Sequence, residues 1–405
     1  MTDLDIEGAV AALSSWQEET YLWLHQNPEL SMAEKETCDF IDKQLQSFGY
    51  ETQRIGGGVV GVLQNGEGKT TLFRADIDAL PVKEDTGFEY ASTMTRRDAQ
   101  GNEVPVMHAC GHDVHITAGL GAARILSENR QAWSGTHIAL FQPGEETAEG
   151  AKSMVEDGLV DKIPHPDVAL GQHVLAGPMA SGSVGTHSGA ILSTGASLKI
   201  TVHGKGSHGS MPHMGVDPVV LASAVVMRLQ TIVSREINPF KMAVVTVGSL
   251  QAGSKSNIIP DRATLLLNIR AYDMEVREHL LEAIKRMVNA ECEAAGVPAP
   301  AEFELYDSYP LTNNDAETTQ TVTEAFIAHF GSERVCDCGE VSASEDFSTI
   351  PDAFGIPYTY WGLGGFNEGD PKYPNHNPKF GPVMQPTLAT GTEAILAAVM
   401  AWLKK

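Results

Sequence analysis

The chain has 405 residues, with 52 acidic against 28 basic side chains and a formal charge of −24 at neutral pH. That charge repels nucleic acid and anionic lipid, so neither is an expected partner, although a few local cations could still admit an anionic small substrate to a cleft. The length exceeds what one hydrophobic core usually serves, so two domains are the default expectation.

The first residues, Met1-Thr-Asp-Leu-Asp-Ile-Glu7, are acidic and carry neither a basic region nor the apolar run of a secretory leader. No apolar stretch approaches the ~20 residues that span a bilayer. Five cysteines (Cys38, Cys110, Cys292, Cys336, Cys338) are too few and too odd in number for a disulfide framework. A cytoplasmic location is the expectation.

Val10 to Phe48 shows helical periodicity through Leu13, Trp16, Tyr21 and Leu24, then Phe40, Ile41 and Leu45, with Asn27-Pro28-Glu29-Leu30 as the break. Two helices are expected there. Tyr50–Leu63 and Thr70–Arg74 read as strands joined by the turn-rich Asn65-Gly-Glu-Gly68, and the second delivers Asp76 at its carboxyl end. Gly56-Gly-Gly-Val-Val-Gly61 spells a dinucleotide fingerprint, but a strand and turn follow it where a helix N-terminus would have to hold the pyrophosphate. That reading fails on context.

His108-Ala-Cys-Gly-His-Asp-Val-His115 opens a helix-like run, Val114 to Glu128. Gly111 lets the backbone bend so that Cys110 and His112 aim at one point. A thiolate with a neutral imidazole is the pair that Zn²⁺ and similar borderline metals prefer. A buried strand, Thr136 to Gln142, ends in Pro143-Gly-Glu-Glu146, and another, Val168 to His173, ends at a histidine. Alternating strands and helices imply a largely parallel sheet, whose ligands bind outside the carboxyl ends of its strands. Asp76, Glu145, Glu146 and His173 all fall on that edge.

From about Ile191 to Ser308 the texture changes. Strand Ala196–His203, helix Pro218–Val233, strands Met242–Leu250 and Ala263–Ala271, helix Val276–Ala295 and strand Ala301–Tyr306 give the order βαββαβ, a ferredoxin-like arrangement inserted as a second domain. The expected division is therefore 1–190 and 309–405 for a catalytic α/β domain and 191–308 for a satellite. The tail contains Ser344-Glu-Asp-Phe347 and Asn375-His-Asn-Pro378 and closes on an amphipathic helix, Thr387 to Leu403.

Glu145-Glu146 at a strand end suits metal-assisted hydrolysis: one carboxylate holds metal while its neighbour takes a proton from water acidified by the ion. Cys110, His112, Glu146, His173 and a late histidine supply enough ligands for two ions. Ligating histidines usually donate their second nitrogen to a carboxylate, for which Asp76 or Asp113 could serve.

Arg74-Ala-Asp-Ile-Asp78 with Leu80-Pro81, the 108–115 run, Gly144-Glu-Glu146, Gln172-His-Val174, Gly204-Lys-Gly-Ser-His208 with Pro212-His213, Ser256-Asn-Ile-Ile-Pro-Asp261, Ser344-Glu-Asp-Phe347 and His376-Asn-Pro378 occur in order along nearly the whole chain. In this it resembles the amidohydrolase branch of the aminoacylase/carboxypeptidase G metallopeptidase family, to which hippurate hydrolases, auxin-conjugate hydrolases, N-acetyl-diaminopimelate deacetylases and N-acyl-glutamine aminoacylases belong. The resemblance implies a mostly parallel-sheet dinuclear metallohydrolase domain with an inserted dimerisation or lid domain. It implies two divalent ions, Zn²⁺ before Mn²⁺, Co²⁺ or Ni²⁺. Cys110 would bridge them, His112, Glu146 and His173 would be terminal ligands, and His376 the distant ligand that closes the site. Glu145 would be the general base. Other branches place a histidine ligand where this chain has Arg74, and His112 replaces it.

The resemblance further implies a homodimer in which His208 reaches into the partner's site to steady an oxyanion, while Asn257 and Arg270 contact the substrate's carboxylate or backbone. The reaction implied is cleavage of an N-acyl amino acid to a carboxylic acid and a free amino acid. A di- or carboxypeptidase, an N-acetyl deacetylase and a non-catalytic metal- or amino-acid-binding relative stand as alternatives. His115, His187, His213 and Asp346 are expected around the site and not in it. His25, His137, His165, His279 and His329 have no expected role beyond packing or solvent exposure.

Overall fold

Four strands that are buried along nearly their whole length lie side by side and parallel in the order Gly135–Gln142, Thr70–Asp76, Val168–Leu175, Tyr358–Gly364. Parallel strands of this kind are covered on both faces, and every residue of Gly135–Gln142 and of Tyr358–Gly364 is buried. The computed structural model describes residues 4–404. Glu51–Ile55 and Gly58–Asn65 add antiparallel at one edge, Val184–Thr186 and Val335–Asp337 at the other, completing an eight-stranded, mostly parallel sheet. Helices His112–Glu128 and Thr387–Leu403 pack together, and Thr392 between them accepts from Gln17 Nε2 at 2.7 Å and donates to the Ala118 carbonyl at 3.3 Å.

This sheet belongs to the first of two compact units, which runs to Ile191 and takes in Asn313–Glu340 and the chain from Asp346. The second unit is Leu192–Thr312 with Val341–Glu345. Its antiparallel sheet has the order Ala243–Ala252, Arg262–Ala271, Thr194–His203, Glu302–Tyr309. Together with helices Pro218–Glu236 and Met274–Ala295 it follows βαββαβ in chain order. Alternate residues Ala196, Leu198, Ile200 and Val202 point into one core with Leu265, Leu267 and Ile269, as period-two patterning requires. The opposite face pairs Lys199 with Glu304 and His203 with Glu302.

Several boundaries differ from the sequence reading, each for a local reason. Tyr50–Leu63 is a hairpin of two strands because Gly56 and Gly57 turn the chain at φ 54° and 91°. A helix at Ile6–Ala12 precedes Ser14–Gln26, capped by Asp5 accepting from Gly8 N at 3.0 Å. The segment Val341–Glu345 joins the second unit because Ser193 N donates to Ala343 O at 2.9 Å and Arg270 Nη1 to Ser342 O at 3.1 Å. Helix Pro218–Glu236 reaches the length and composition of a membrane span, which corrects the expectation that no apolar run comes near it. It lays Leu221, Val225, Leu229 and Ile232 into the core of its unit and carries Arg228 and Arg235.

His25 is more than a packing residue. Its Nδ1 lies 2.7 Å from Asp113 Oδ2 and its Nε2 3.1 Å from Glu84 Oε1, and it is 2% exposed. Carboxylates only accept, so the imidazole donates from both nitrogens and carries the charge. Burial opposes that charge, but hydrogen bonds to Asp113 and Glu84 outweigh it and push the pKa up to about 9. The charge-assisted stabilisation that ties helix Ser14–Gln26 to helix His112–Glu128 is therefore full below about pH 6.5 and is lost as pH rises through about 9. His25→Gln is expected to cost metal-loaded protein on the order of 3 kcal/mol at pH 6.5 and little at pH 9.5 in urea unfolding. An equal cost at both would show that His25 is not held charged.

Candidate metal centre

The carboxyl edge of the parallel sheet gathers residues from five separate places in the chain. Asp76 ends one strand, His173 lies near the end of another, and Glu145 and Glu146 occupy a one-turn helix, Glu145–Thr147, directly after a third. Gly111, at φ 82°, caps helix His112–Glu128, so the sequence reading set the helix two residues late and His112 sits in its first turn. A Cβ at Gly111 would lie 2.3 Å from Val174 Cγ1, so only glycine lets this turn approach the His173 strand. His376 completes the group from a left-handed backbone position, φ 70°, pinned by its N–H donating to Ala109 O at 2.8 Å.

Cys110, Glu146 and His376 bring ligand atoms within 4.8 Å of one another, as do Asp76, His112, His115 and His173, and as do His112, Glu145 and Glu146. His376 Nε2 stands 3.3 Å from Glu146 Oε2, and Cys110 Sγ 3.4 Å from His173 Nε2. Two donors on one tetrahedral ion lie roughly 3.3–3.6 Å apart, given bonds of about 2.0–2.3 Å. Both separations suit a pair of ligands sharing a cation.

The hydrogen bonds select which nitrogens are available. His173 Nδ1 donates to Val174 O at 2.8 Å and His112 Nδ1 to Asp78 O at 2.8 Å, which leaves the Nε2 lone pair of each facing the cluster. His115 is different: it accepts from Val174 N at 2.8 Å and donates to Asp76 Oδ1 at 2.5 Å, so both nitrogens are used within the protein. His112 Nε2 and Glu146 Oε1 are buried, lack any hydrogen-bond partner and lie 4.0 Å apart. Burying two such atoms unpaired costs several kcal/mol. A cation between them removes the cost, so the donor set fits a divalent metal.

The electrostatics point the same way. The Cys110 sulfur and Glu146 push His376 up to about 10, a site that binds a proton tightly because negative charge converges on it. His173 is held well below its ordinary value by burial and by His115, leaving the neutral form that ligates. Burial opposes a charge on His112, but Asp76, Asp78 and Cys110 outweigh it and raise its pKa, marking a place where positive charge is stabilised.

Asp76 and Asp113 do not stand behind ligating nitrogens as the sequence reading had it. Asp76 accepts from His115 and from Arg74 Nη1 at 2.6 Å, with His112 Nε2 3.8 Å away, and Asp113 is taken by His25. Asp78 holds that place, which the sequence reading missed. Its Oδ1 lies 3.2 Å from His112 Nδ1, and its Oδ2 accepts from Glu146 N at 3.0 Å and Ser31 Oγ at 2.6 Å. Asn375, beside His376, was also missed; its amide donates to the Cys110 and Val174 carbonyls, both at 3.3 Å. Its signal was the Asn-His-Asn-Pro run itself.

The remaining candidates belong to the second unit. His208 is exposed on a two-residue ribbon strand paired with Ile258–Ile259, its Nδ1 2.8 Å from Ser210 Oγ. Gly209 N donates to Asn257 O at 2.8 Å, so His208 and Asn257 share one end of that ribbon. Arg270 lies on the sheet and donates to Ser344 Oγ at 2.9 Å and Asn268 Oδ1 at 3.1 Å.

The family model described as Peptidase family M20/M25/M40 matches residues 72–401. The chain belongs to this family. It is 36% identical over 360 residues to N-acetyl-L-cysteine deacetylase of Bacillus subtilis, covering 88% of this chain and 81% of that one. It is 34% identical over 382 residues to thermostable carboxypeptidase 2 of Saccharolobus solfataricus, with 93% and 92% covered. The crystal structure of the Bacillus subtilis YXEP protein, described as a dinuclear metal binding peptidase from the M20 family, superposes with a TM-score of 0.76 at 28% identity over 96% of this chain and 99% of that one. This M20 chain is accordingly a hydrolase of the amidohydrolase and peptidase kind, and its cluster is a candidate metal site of a metallopeptidase-like enzyme.

Asp78→Ala should weaken metal binding by about 10- to 100-fold, since it removes the acceptor of the Glu146 amide and the negative charge beside His112, while the backbone carbonyl that receives His112 Nδ1 remains. Competition against a fluorescent chelator measures this; unchanged affinity would show that Asp78 does not orient the ligands.

Proposed function

We propose that this M20 hydrolase cleaves N-acyl amino acids to a carboxylic acid and a free amino acid. The observation that carries the reading is the Glu145-Glu146 turn: Glu146 meets His376 and the buried, unpartnered His112 Nε2, while the neighbouring Glu145 carboxylate stays within 4.8 Å of the same group. Adjacent carboxylates can thus divide ligation from proton transfer. Cys110, His112, Glu146, His173 and His376 would hold two divalent ions, and the thiolate and imidazole donors suit Zn²⁺ before Mn²⁺, Co²⁺ or Ni²⁺. When bound, the ions supply Lewis acidity, acidifying water toward neutrality and polarising an amide carbonyl.

Glu145 takes the proton of the attacking water and returns it to the leaving nitrogen. The partner's His208 donates to the oxyanion. Asn257 and Arg270 receive the carboxylate of the amino acid. The homodimer this requires is supported by the second unit, whose edge strand Ala243–Ala252 and helix Pro218–Glu236 leave Val220, Met227, Val244 and Leu250 exposed. Five free cysteines support a cytoplasmic location. Similarity to a carboxypeptidase along 93% of the chain keeps a second reading, peptide cleavage, in which the amide broken again precedes an amino-acid carboxylate.

Hydrolysis of N-acetyl-L-cysteine, N-benzoylglycine and blocked dipeptides by metal-loaded protein separates the two readings by relative kcat/KM. Glu145→Gln is expected to retain metal but lose kcat by several orders of magnitude; activity within a few-fold of wild type would remove Glu145 from the role of base. Cys110→Ser or a strong chelator should abolish turnover, and a chelator-insensitive enzyme would refute the metal mechanism.

A further inference from the structure

The Glu145-bearing turn is short, and the sheet alone does not hold it. Gly144 and Ala148 on either side of it both take left-handed conformations, φ 56° each. What covers it is Leu30–Glu34, a strap between two helices. Leu30 bridges to Ala79, and Ala79 N donates to Glu29 O at 2.8 Å. Ser31 Oγ donates to Asp78 Oδ2 at 2.6 Å, the oxygen that also receives Glu146 N. Met32 adopts φ 61°, uncommon for a side chain of this size, and its Sδ lies 2.5 Å from where a Cβ on Gly144 would stand. Glu34, 4% exposed, accepts from Gly144 N at 2.8 Å and from Met32 N at 2.9 Å through one carboxyl oxygen.

We infer that Glu34 is a positioning residue: by holding the Gly144 amide it fixes the backbone from which Glu145 reaches the reacting water. The strap thus grips two amides of one turn, Gly144 through Glu34 and Glu146 through Asp78, and leaves the Glu145 side chain between them. Strained backbone at Met32 persists because these bonds and the contact with Gly144 over-determine it. Burial and the nearby Asp78 raise the Glu34 carboxyl, and a neutral carboxyl accepts through its carbonyl oxygen just as an amide does. Glutamine should therefore replace Glu34, while alanine, or aspartate with its shorter reach, should not.

The inference rests on Glu145 as base, and the test separates the two. In metal-loaded protein, Glu34→Ala should raise hydrogen exchange at the Gly144 amide by at least about tenfold without changing metal content. With N-acetyl-L-cysteine as substrate it should lower kcat roughly 10- to 100-fold with KM little changed. Glu34→Gln should restore both, and Glu34→Asp serves if the alanine variant does not fold. Unchanged exchange in the alanine or aspartate variant, loss of metal, or failure of glutamine to rescue would overturn the positioning role. If Glu145→Gln keeps its activity, the base assignment fails, and the exchange result still judges the clasp. A Glu34→Ala, Glu145→Gln double variant slower than Glu145→Gln alone would show that Glu34 acts other than through Glu145.

Discussion

The structure depends most on one buried guanidinium. Arg74, fully buried in the middle of the parallel sheet, donates from Nε to Gln142 Oε1 at 2.9 Å, from Nη1 to Asp76 Oδ2 at 2.6 Å and from Nη2 to Asp346 Oδ1 at 3.1 Å, with the Phe347 ring 5.9 Å away. A planar fork of fixed donors is the side chain that can satisfy three acceptors from three segments at once. Gln142 donates in turn to Asp346 Oδ1 at 2.6 Å. Removing one partner from such a buried ionic group typically costs about 3–5 kcal/mol, so the knot is all or nothing. It sets the ends of two adjacent strands against the segment that begins at Asp346, and Asp76, held by it, fixes the ring of His115.

Outward from that knot the positioning is relayed by buried carboxylates. Asp76 fixes His115, whose Nε2 accepts the Val174 amide beside His173. Asp78 fixes the Glu146 amide, Glu34 the Gly144 amide, and Asp113 with Glu84 the charged His25. A chain as acidic as this one thus uses several of its buried acids as hydrogen-bond acceptors for backbone and histidine. Two backbone carbonyls, Asp78 O for His112 and Val174 O for His173, then set which ring nitrogen of each faces the cluster.

The candidate site was legible where chemistry and short spacing coincide. Cys110-Gly-His112, the Glu145-Glu146 pair at a strand end and the motif order through His376 pointed to the residues that the sheet brings together. The supporting residues were not legible. Asp78 looks like one more acid after a strand, Glu34 like a solvated helix start, and His25 like a packing histidine, because each acts on an atom far away in sequence. Among the elements, long apolar strands and amphipathic helices were readable, and the misses lay where a local turn decides: the Gly56-Gly57 hairpin, the helix that begins at His112, and the return of Val341–Glu345 to the second unit.

Sequence by itself determined the fold class, the βαββαβ order of the inserted segment, and the thiol, imidazole and carboxylate chemistry at the strand ends, because side-chain periodicity and donor type are properties of short stretches. Tertiary structure alone decided which acid supports which histidine, which imidazoles keep a lone pair for a cation, and how Glu145 is held. Those outcomes depend on contacts between residues tens to hundreds of positions apart, such as His112 with Asp78, Gly144 with Glu34 and Arg74 with Asp346. No local pattern encodes such a contact, since its free energy exists only once the sheet has brought both partners into a buried, water-poor place.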